Sequence, residues 1–265
     1  MFDLSIVLLV WRDRSFLHAC LESIVAARHE LAIEIILIEN GVTLEPGETK
    51  GLRVIHNEKN QGVAPARNQG LRSAQGRYIL LLDVDTVVTQ DALVNLVRFM
   101  DGNPKVGLAA PRLQDAAGNL QYTCRKLPTV WSKLLRRIPT HWAQSALADE
   151  MLADYDHRTP RAVDYVIGAC QIIRRTALEQ VGVLDEQFFY GPEDVDYCIR
   201  MWRRGWQVMY VPDAVVVHNE QRLTRQHTTS KLSLVHAYGL ARYFLKYRYM
   251  VRRPRLVQNT KSLVR

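Results

Sequence analysis

From Leu4 to Val10 every position except Ser5 is aliphatic. A run of that length, without the alternation of a half-exposed strand, predicts a strand buried on both faces. The period then changes. In SFLHACLESIVAAR, Phe16, Leu17, Cys20, Leu21, Ile24 and Val25 recur at helical spacing, so a helix follows. IEIILIEN returns to the aliphatic pattern and closes on Asn40-Gly41. LRVIHN predicts a short third strand, and VAPARNQGLRSAQG a helix stopped by Gly76. RYILLLD predicts a fourth strand, QDALVNLVRFMDGNP a helix ended by Gly102 and Pro104, and VGLAAPRL a further strand. Strands and helices alternating in this way predict an α/β domain with a mostly parallel central sheet flanked by helices.

The pattern weakens after Arg112, where residues 114–160 mix turns with basic and aromatic side chains. It returns at VDYVIGACQIIRRTALEQVG. FFYGPEDVDYCIRMWRRGWQVMYVPDAVVVH then reads as a loop, a helix and a strand ending in His218. LSLVHAYGLARYFLKYRY predicts a last helix before a polar tail. With 265 residues, 48% of them hydrophobic, the expected organisation is one large domain over 1–220 and a basic helical extension over 221–265.

Charge changes this picture only when it is located. The net charge is +8, yet eleven Lys and Arg and no Asp or Glu lie beyond residue 220. The first 220 residues therefore hold 24 basic against 27 acidic side chains. A mildly acidic body argues against a domain built to bind nucleic acid. No stretch has the roughly 18 apolar residues that a membrane span needs. MFDLSIVLLVWRD carries an acid where a secretory signal carries positive charge, and it reads as a first strand. The four cysteines form no Cys-x-x-Cys pair, so neither a zinc site nor a disulfide framework is expected, and a reducing cytoplasm is the simplest setting.

The candidate chemistry sits where strands end. Asp83 and Asp85 follow the YILLL run, and ligands of open α/β sheets bind beyond the carboxyl ends of the strands. In extended backbone they share one side while Val84 points away. Two carboxylates so placed suit a hard divalent cation, although a solvated turn or helix cap is the commoner explanation of a bare Asp-x-Asp. Glu39 ends the second strand, where an acid can grip a ribose or simply face solvent. NQGVAPARNQG supplies Asn60, Gly62 and Arg67, a set suited to close backbone approach and phosphate neutralisation, or to an ordinary loop. Glu193, Asp194 and Asp196 open a helix behind Phe188, Phe189 and Tyr190. Helix capping, or an Asp196–Arg200 pair, is one reading; a general base in a partly dry site is the other. His218 closes an aliphatic strand, as a structural residue or a metal ligand.

These pieces, in this order, resemble the inverting nucleotide-sugar glycosyltransferases of family 2, in particular the bacterial rhamnosyltransferase-like branch. The matching stretches are SIVLLVWRD, ILIENG, NQGVAPARNQGL, GRYILLLDVDTVV, PRL, GACQIIRRTALEQVGVLDEQFFYGPEDVDYCIRMWRRGW and VVVH. The resemblance implies the Rossmann-like GT-A fold and a divalent metal, Mn²⁺ or Mg²⁺, held by Asp83, Asp85 and His218, with Asp85 as the direct carboxylate ligand. It implies Asp194 as catalytic base with Glu193 beside it. It implies a donor site, for a UDP- or dTDP-sugar, from Val10, Trp11, Arg12, Glu39, Asn60, Gly62, Arg67, Asp83, Val84, Asp85 and Gly168. The first strand departs from the family's frequent Thr-Tyr-Asn ending by closing on Val10-Trp11-Arg12, and Glu39 stands where most members have Asp. The acceptor implied is a hydroxyl of a glycan or lipid-linked glycan in cell-surface polysaccharide synthesis.

Two other readings remain. A sugar-nucleotide nucleotidyltransferase also uses an α/β sheet and a metal, but VWRDRSFLH has no glycine for its basic loop. A non-enzymatic membrane- or nucleic-acid-binding module would use the basic tail but not two carboxylate clusters. The tail, with a second basic stretch CRKLPTVWSKLLRRIPTHW, is expected to bring the enzyme to an anionic inner membrane face; packing on the acidic body or a homodimer contact are its alternatives.

Overall fold

The computed structural model describes residues 1–12, 14–29, 31–135, 141–220, 231–250 and 252–256. The first half runs β1 (Leu4–Val10), α1 (Leu17–Ala27), β2 (Ile33–Asn40), β3 (Arg53–Asn57), α2 (Val63–Ser73) and β4 (Tyr78–Asp83). Then come β5 (Thr86–Val88), α3 (Ala92–Gly102), β6 (Val106–Gln114), β7 (Leu120–Gln121), β8 (Cys124–Arg125), α4 (Val130–Leu135) and α5 (His141–Glu150). The rest is β9 (Arg161–Ala162), β10 (Tyr165–Val166), β11 (Cys170–Arg174), α6 (Arg175–Val181), α7 (Glu193–Arg203), β12 (Gln207–His218) and α8 (Lys231–Tyr247).

The main sheet has the order β3-β2-β1-β4-β11-β6-β12-β5. Its first four strands are parallel, as the alternating pattern predicts. Beyond β4 it is mixed: β11 runs antiparallel to both β4 and β6, while β12 is parallel to β6 and antiparallel to β5. The physical reason is local. The chain comes back to the sheet at the carboxyl end of β4, with Cys170 opposite Leu82, and so runs the reverse way to Arg174 opposite Tyr78.

Both faces are covered, which explains the unbroken aliphatic runs. Val7, Leu9, Ile79 and Leu81 pack in one apolar layer with Phe188, Tyr197 and Ile199. Ile6, Leu8, Leu80 and Leu82 pack in the other with Leu17, Ile24, Leu93 and Leu96. The alternation that sends Ile79 and Leu81 into the first layer brings Asp83 to the same side. Gly76 is not the stop of α2, which ends at Ser73 with Ala74 extended. Gly76 instead lies against β1, where a Cβ would stand 2.6 Å from the Ser5 backbone nitrogen.

The described part of the basic extension packs on the body. Tyr243 and Phe244 of α8 are buried, and Gly239 lets the helix press against the Gly191 carbonyl. Lys246 and Tyr247 both donate to Asp196, which is fully buried. After α8, Tyr249 donates to the Pro128 carbonyl and Met250 accepts from the Val130 N–H, at 2.9 Å each. The opposite side of α8 leaves Leu234, Tyr238 and Leu245 exposed. Among the described residues no helix is long and apolar enough to cross a membrane.

Candidate active site

The end of β4 lies beside the end of β1, with Leu9 opposite Asp83. Asp83 is held there by Arg67 of α2, whose Nη2 donates to Asp83 Oδ1 at 2.5 Å and to the Gly168 carbonyl at 2.9 Å. Arg67 is buried, so it serves as a strut and not as an open phosphate receptor. Burial pushes the Asp83 carboxyl above its ordinary pKa, and the Arg67 charge works the other way.

The turn after β4 presents Asp85, and strand pairing brings His218 to it. His218 is the last residue of β12 and stands opposite Thr86, while the Asn219 N–H donates to the Asp85 carbonyl at 2.8 Å. The ring Nε2 lies 3.5 Å from Asp85 Oδ1. Burial opposes charge on this ring, but the Asp85 contact and the Asp83 charge outweigh it and raise the pKa. One ligand atom from each of Asp83, Asp85 and His218 lies within 4.8 Å of the others. Two carboxylates and an imidazole suit a small divalent cation of the Mg²⁺ or Mn²⁺ kind, so this donor set fits the metal that the resemblance implies. Asp83 spends one oxygen on Arg67, which leaves Asp85 and His218 the freer ligands.

The second acidic pair enters from α7. Pro192 occupies the cap position, where no side chain caps the helix, and the acids follow in the first turn. Asp194 Oδ1 accepts from the Val195 N–H at 2.8 Å, and Oδ2 accepts from the Gly168 N–H at 3.1 Å. The Gly168 peptide thus touches Arg67 through its oxygen and Asp194 through its own nitrogen. A Cβ at 168 would lie 2.9 Å from Arg67 Nη1, so a larger residue would push that guanidinium aside. Glu193 is buried, and its Oε2 has no hydrogen-bond partner among the described residues. Burial first, and the Asp194 charge second, push its pKa up to about 7. Asp196 forms the expected pair with Arg200, Nε to Oδ2 at 2.8 Å, and belongs to the docking of α8.

Both clusters open into one cavity of 390 Å³. Trp11, Arg12, Arg67, Asp83, Val84, Asp85, Gly168, Glu193, Asp194 and His218 line it. Trp11 stands at its wall with Tyr190, ring centroids 6.3 Å apart. Burial and the surrounding carboxylates push the Tyr190 phenol up to about 12. Val10, Glu39, Asn60 and Gly62 do not line the cavity. Val10 is core. Glu39 accepts from the Leu44 N–H at 2.9 Å and pairs with His56 at 2.7 Å. Asn60 receives the Asn40 amide and the Gly62 N–H, shaping the loop before α2. The structure adds residues with no signal in the motifs: Arg125 of β8, Lys133 of α4, and His236 and Leu240 of α8 also line the cavity.

The family model described as Glycosyl transferase family 2 matches residues 5–182. Among curated relatives, the N-acetylglucosaminyl-diphospho-decaprenol L-rhamnosyltransferase of Mycobacterium tuberculosis is 28% identical over 134 residues, 50% of this chain and 44% of that protein. The pre-mycofactocin glycosyltransferase of the same organism is 26% identical over 236 residues, 86% of this chain and 45% of that protein. The chain therefore spans less than half the length of these relatives. A mannosyltransferase from Pyrobaculum calidifontis, solved in complex with GDP-Man and Mn²⁺, is alike with a TM-score of 0.63 at 18% identity, over 96% of this chain and 66% of that one. That likeness shows the fold, the GT-A arrangement of helices around a curled mixed sheet. The matched span runs from β1 through α6 and includes Asp83, Asp85 and Gly168, and the chain belongs to glycosyl transferase family 2.

Proposed function

We propose that this protein is an inverting, metal-dependent glycosyltransferase. It moves a sugar from a nucleotide-diphosphate donor, a UDP- or dTDP-sugar, to a hydroxyl of a glycan or lipid-linked glycan in cell-surface polysaccharide or glycolipid synthesis. One observation carries this reading: the Asp83–Asp85–His218 group and the Glu193–Asp194 pair face the same cavity and meet at the Gly168 peptide. The GDP-Man and Mn²⁺ bound by the solved neighbour support a nucleotide-sugar donor and a divalent metal.

Asp85 and His218 would hold the metal, with Asp83 braced by Arg67. Bound there, a divalent cation would act as a Lewis acid and offset charge on a leaving diphosphate. Asp194 takes the proton of the acceptor hydroxyl; its two backbone N–H contacts fix the carboxylate toward the cavity. The hydroxyl attacks the anomeric carbon from the face opposite the diphosphate, in one displacement that inverts configuration. Glu193, with a pKa near neutrality, accepts or donates a hydrogen bond at the acceptor. Trp11 and Tyr190 offer aromatic faces to the base or sugar.

The acceptor side is formed by α4 and α8. α4 turns Lys133 to the cavity and leaves Trp131 and Leu134 exposed. α8 turns His236 and Leu240 inward and leaves Leu234, Tyr238 and Leu245 exposed. Apolar outer faces on a basic segment suit peripheral contact with an anionic membrane surface, where a lipid-linked acceptor resides. The diphospho-decaprenol in a relative's name supports this.

A screen of UDP-, dTDP- and GDP-sugars for thermal stabilisation with Mn²⁺ tests the reading. A donor at ~100 times its dissociation constant adds about 2.7 kcal/mol. Release of nucleoside diphosphate from these donors supports sugar transfer, whereas conversion of the donor with added pyrophosphate to a nucleoside triphosphate and a sugar 1-phosphate would make the protein a nucleotidyltransferase.

A further inference from the structure

We propose that Gln121 is a positioning residue: it locks the His218 ring in the tautomer that presents Nε2 to a divalent cation. The inference rests on the metal site proposed above, but its first readout requires neither metal nor activity.

Gln121 lies on β7, a two-residue strand that pairs with β6 and places Gln121 opposite Leu113. Its side chain makes two contacts with one residue. Nε2 donates to the His218 carbonyl at 2.8 Å. Oε1 lies 2.9 Å from His218 Nδ1. The first contact settles the second. A backbone carbonyl can only accept, so the amide NH₂ must face it. The amide oxygen then faces the ring, and an amide oxygen also can only accept. Nδ1 must therefore carry the ring proton.

In a neutral imidazole one nitrogen donates and the other accepts. With the proton on Nδ1, the lone pair belongs to Nε2. Nε2 is the nitrogen 3.5 Å from Asp85 Oδ1, facing the carboxylates. An outer partner that takes the N–H of a ligating histidine fixes its tautomer and orientation, and losing such a partner typically costs ~10- to 100-fold in metal affinity. Here one side chain holds both the ring and the backbone of the residue. His218 is buried, at 6% exposure, so a competing water has little access to Nδ1.

The experiment uses two variants of the whole chain. Gln121→Met keeps length and removes both contacts. Gln121→Glu keeps an acceptor for Nδ1 and loses the donor to the His218 carbonyl. Both lack the carbonyl bond, so they differ in the ring contact and in the added Glu charge, which the His218 tautomer read by NMR in each variant separates. Nitrogen-15 NMR of the metal-free protein at pH 8.5 reads the His218 tautomer. Titration with MnCl₂ alone, followed by electron paramagnetic resonance, reads affinity, and thermal melting confirms folding. The inference predicts a wild-type ring protonated on Nδ1. It predicts a ~10- to 100-fold weaker Mn²⁺ affinity in Gln121→Met, and one within several-fold of wild type in Gln121→Glu. Equal affinity losses in the two variants, or none in either, overturn it. A wild type that binds Mn²⁺ with its neutral ring protonated on Nε2 overturns the inference alone. No Mn²⁺ uptake by the wild type overturns the metal reading and this inference with it.

Discussion

Arg67 and Asp83 meet at 2.5 Å inside the domain, and the same guanidinium nitrogen also holds the Gly168 carbonyl. One buried cation on α2 therefore sets both the carboxylate at the end of β4 and the peptide that contacts Asp194. Removing it leaves Asp83 deep in the cavity without its counter-charge. Arg67→Met should cost about 1.5–3 kcal/mol, the worth of a hydrogen bond to a charged group, because the Asp83 side chain is 38% exposed in the cavity. Urea unfolding measures this. A change within about 0.5 kcal/mol, the range of an ordinary surface substitution, would mean that Arg67 is no strut.

Glu193 gives a pH signature. Its carboxyl has an ordinary pKa of 4.5 and is pushed up to about 7 in the folded chain. Between those values the folded state keeps a proton that the unfolded state releases. Stability therefore falls as pH rises from 4.5 to 7, by an amount on the order of 3 kcal/mol for this group. Glu193→Gln should remove that slope, so that the difference between wild type and variant grows across this window. Parallel unfolding curves for the two proteins would contradict the assignment.

Much of this site is legible in the sequence because it lies at the ends of regular elements. The aliphatic run of β4 points directly at Asp83 and Asp85, and VVVH delivers His218 in the same way. Glu193 and Asp194 stand out because they open an amphipathic helix. The role of Arg67 is not legible: its burial depends on how α2 lies on the sheet, and spacing alone suggests a phosphate contact. Gln121, Arg125 and Lys133 come from short elements between 114 and 160, where no period marks an inward face. His236 and Leu240 reach the cavity only through the docking of α8. The mixed half of the sheet is hidden for a similar reason, since strand direction is set by how β11 returns to β4 and not by its composition.

The docking of α8 depends on a buried acid. Asp196 accepts from Arg200, Lys246 and Tyr247. Lys246→Met should lower stability by about 1.5–2 kcal/mol, the worth of a hydrogen bond to a charged group. Asp196→Ala should cost about 3 kcal/mol, because it takes the buried carboxylate from Arg200 while Lys246 keeps Asp185. In a double-mutant cycle the Lys246 effect should shrink in the Asp196→Ala background but not vanish, because Lys246 also donates to Asp185 at 2.7 Å. Additive losses would show that Lys246 holds the helix through Asp185 and not through Asp196.

The outer face of α8 makes a separate prediction. Leu234, Tyr238 and Leu245 are 67%, 66% and 72% exposed, so changing them to serine should leave folding intact. The wild-type protein should sediment with anionic vesicles at low salt and release at high salt, since screening weakens each basic contact. The triple serine variant should remain largely in the supernatant. Equal sedimentation of both proteins would remove this face from the interaction, and a change in oligomeric state instead would assign it to a second copy of the chain.

The central claim is that Asp194 removes the acceptor proton beside a donor site it does not build. Asp194→Asn keeps size and hydrogen-bonding capacity but is no longer a useful base. Turnover with a nucleotide-sugar donor should fall by about 10²-fold or more, while donor affinity in the presence of Mn²⁺, measured by calorimetry on the same preparation, stays near the wild-type value. Near-normal turnover would pass the role to Glu193 or another group, and a matching loss of donor affinity would make Asp194 a binding residue, contradicting the account.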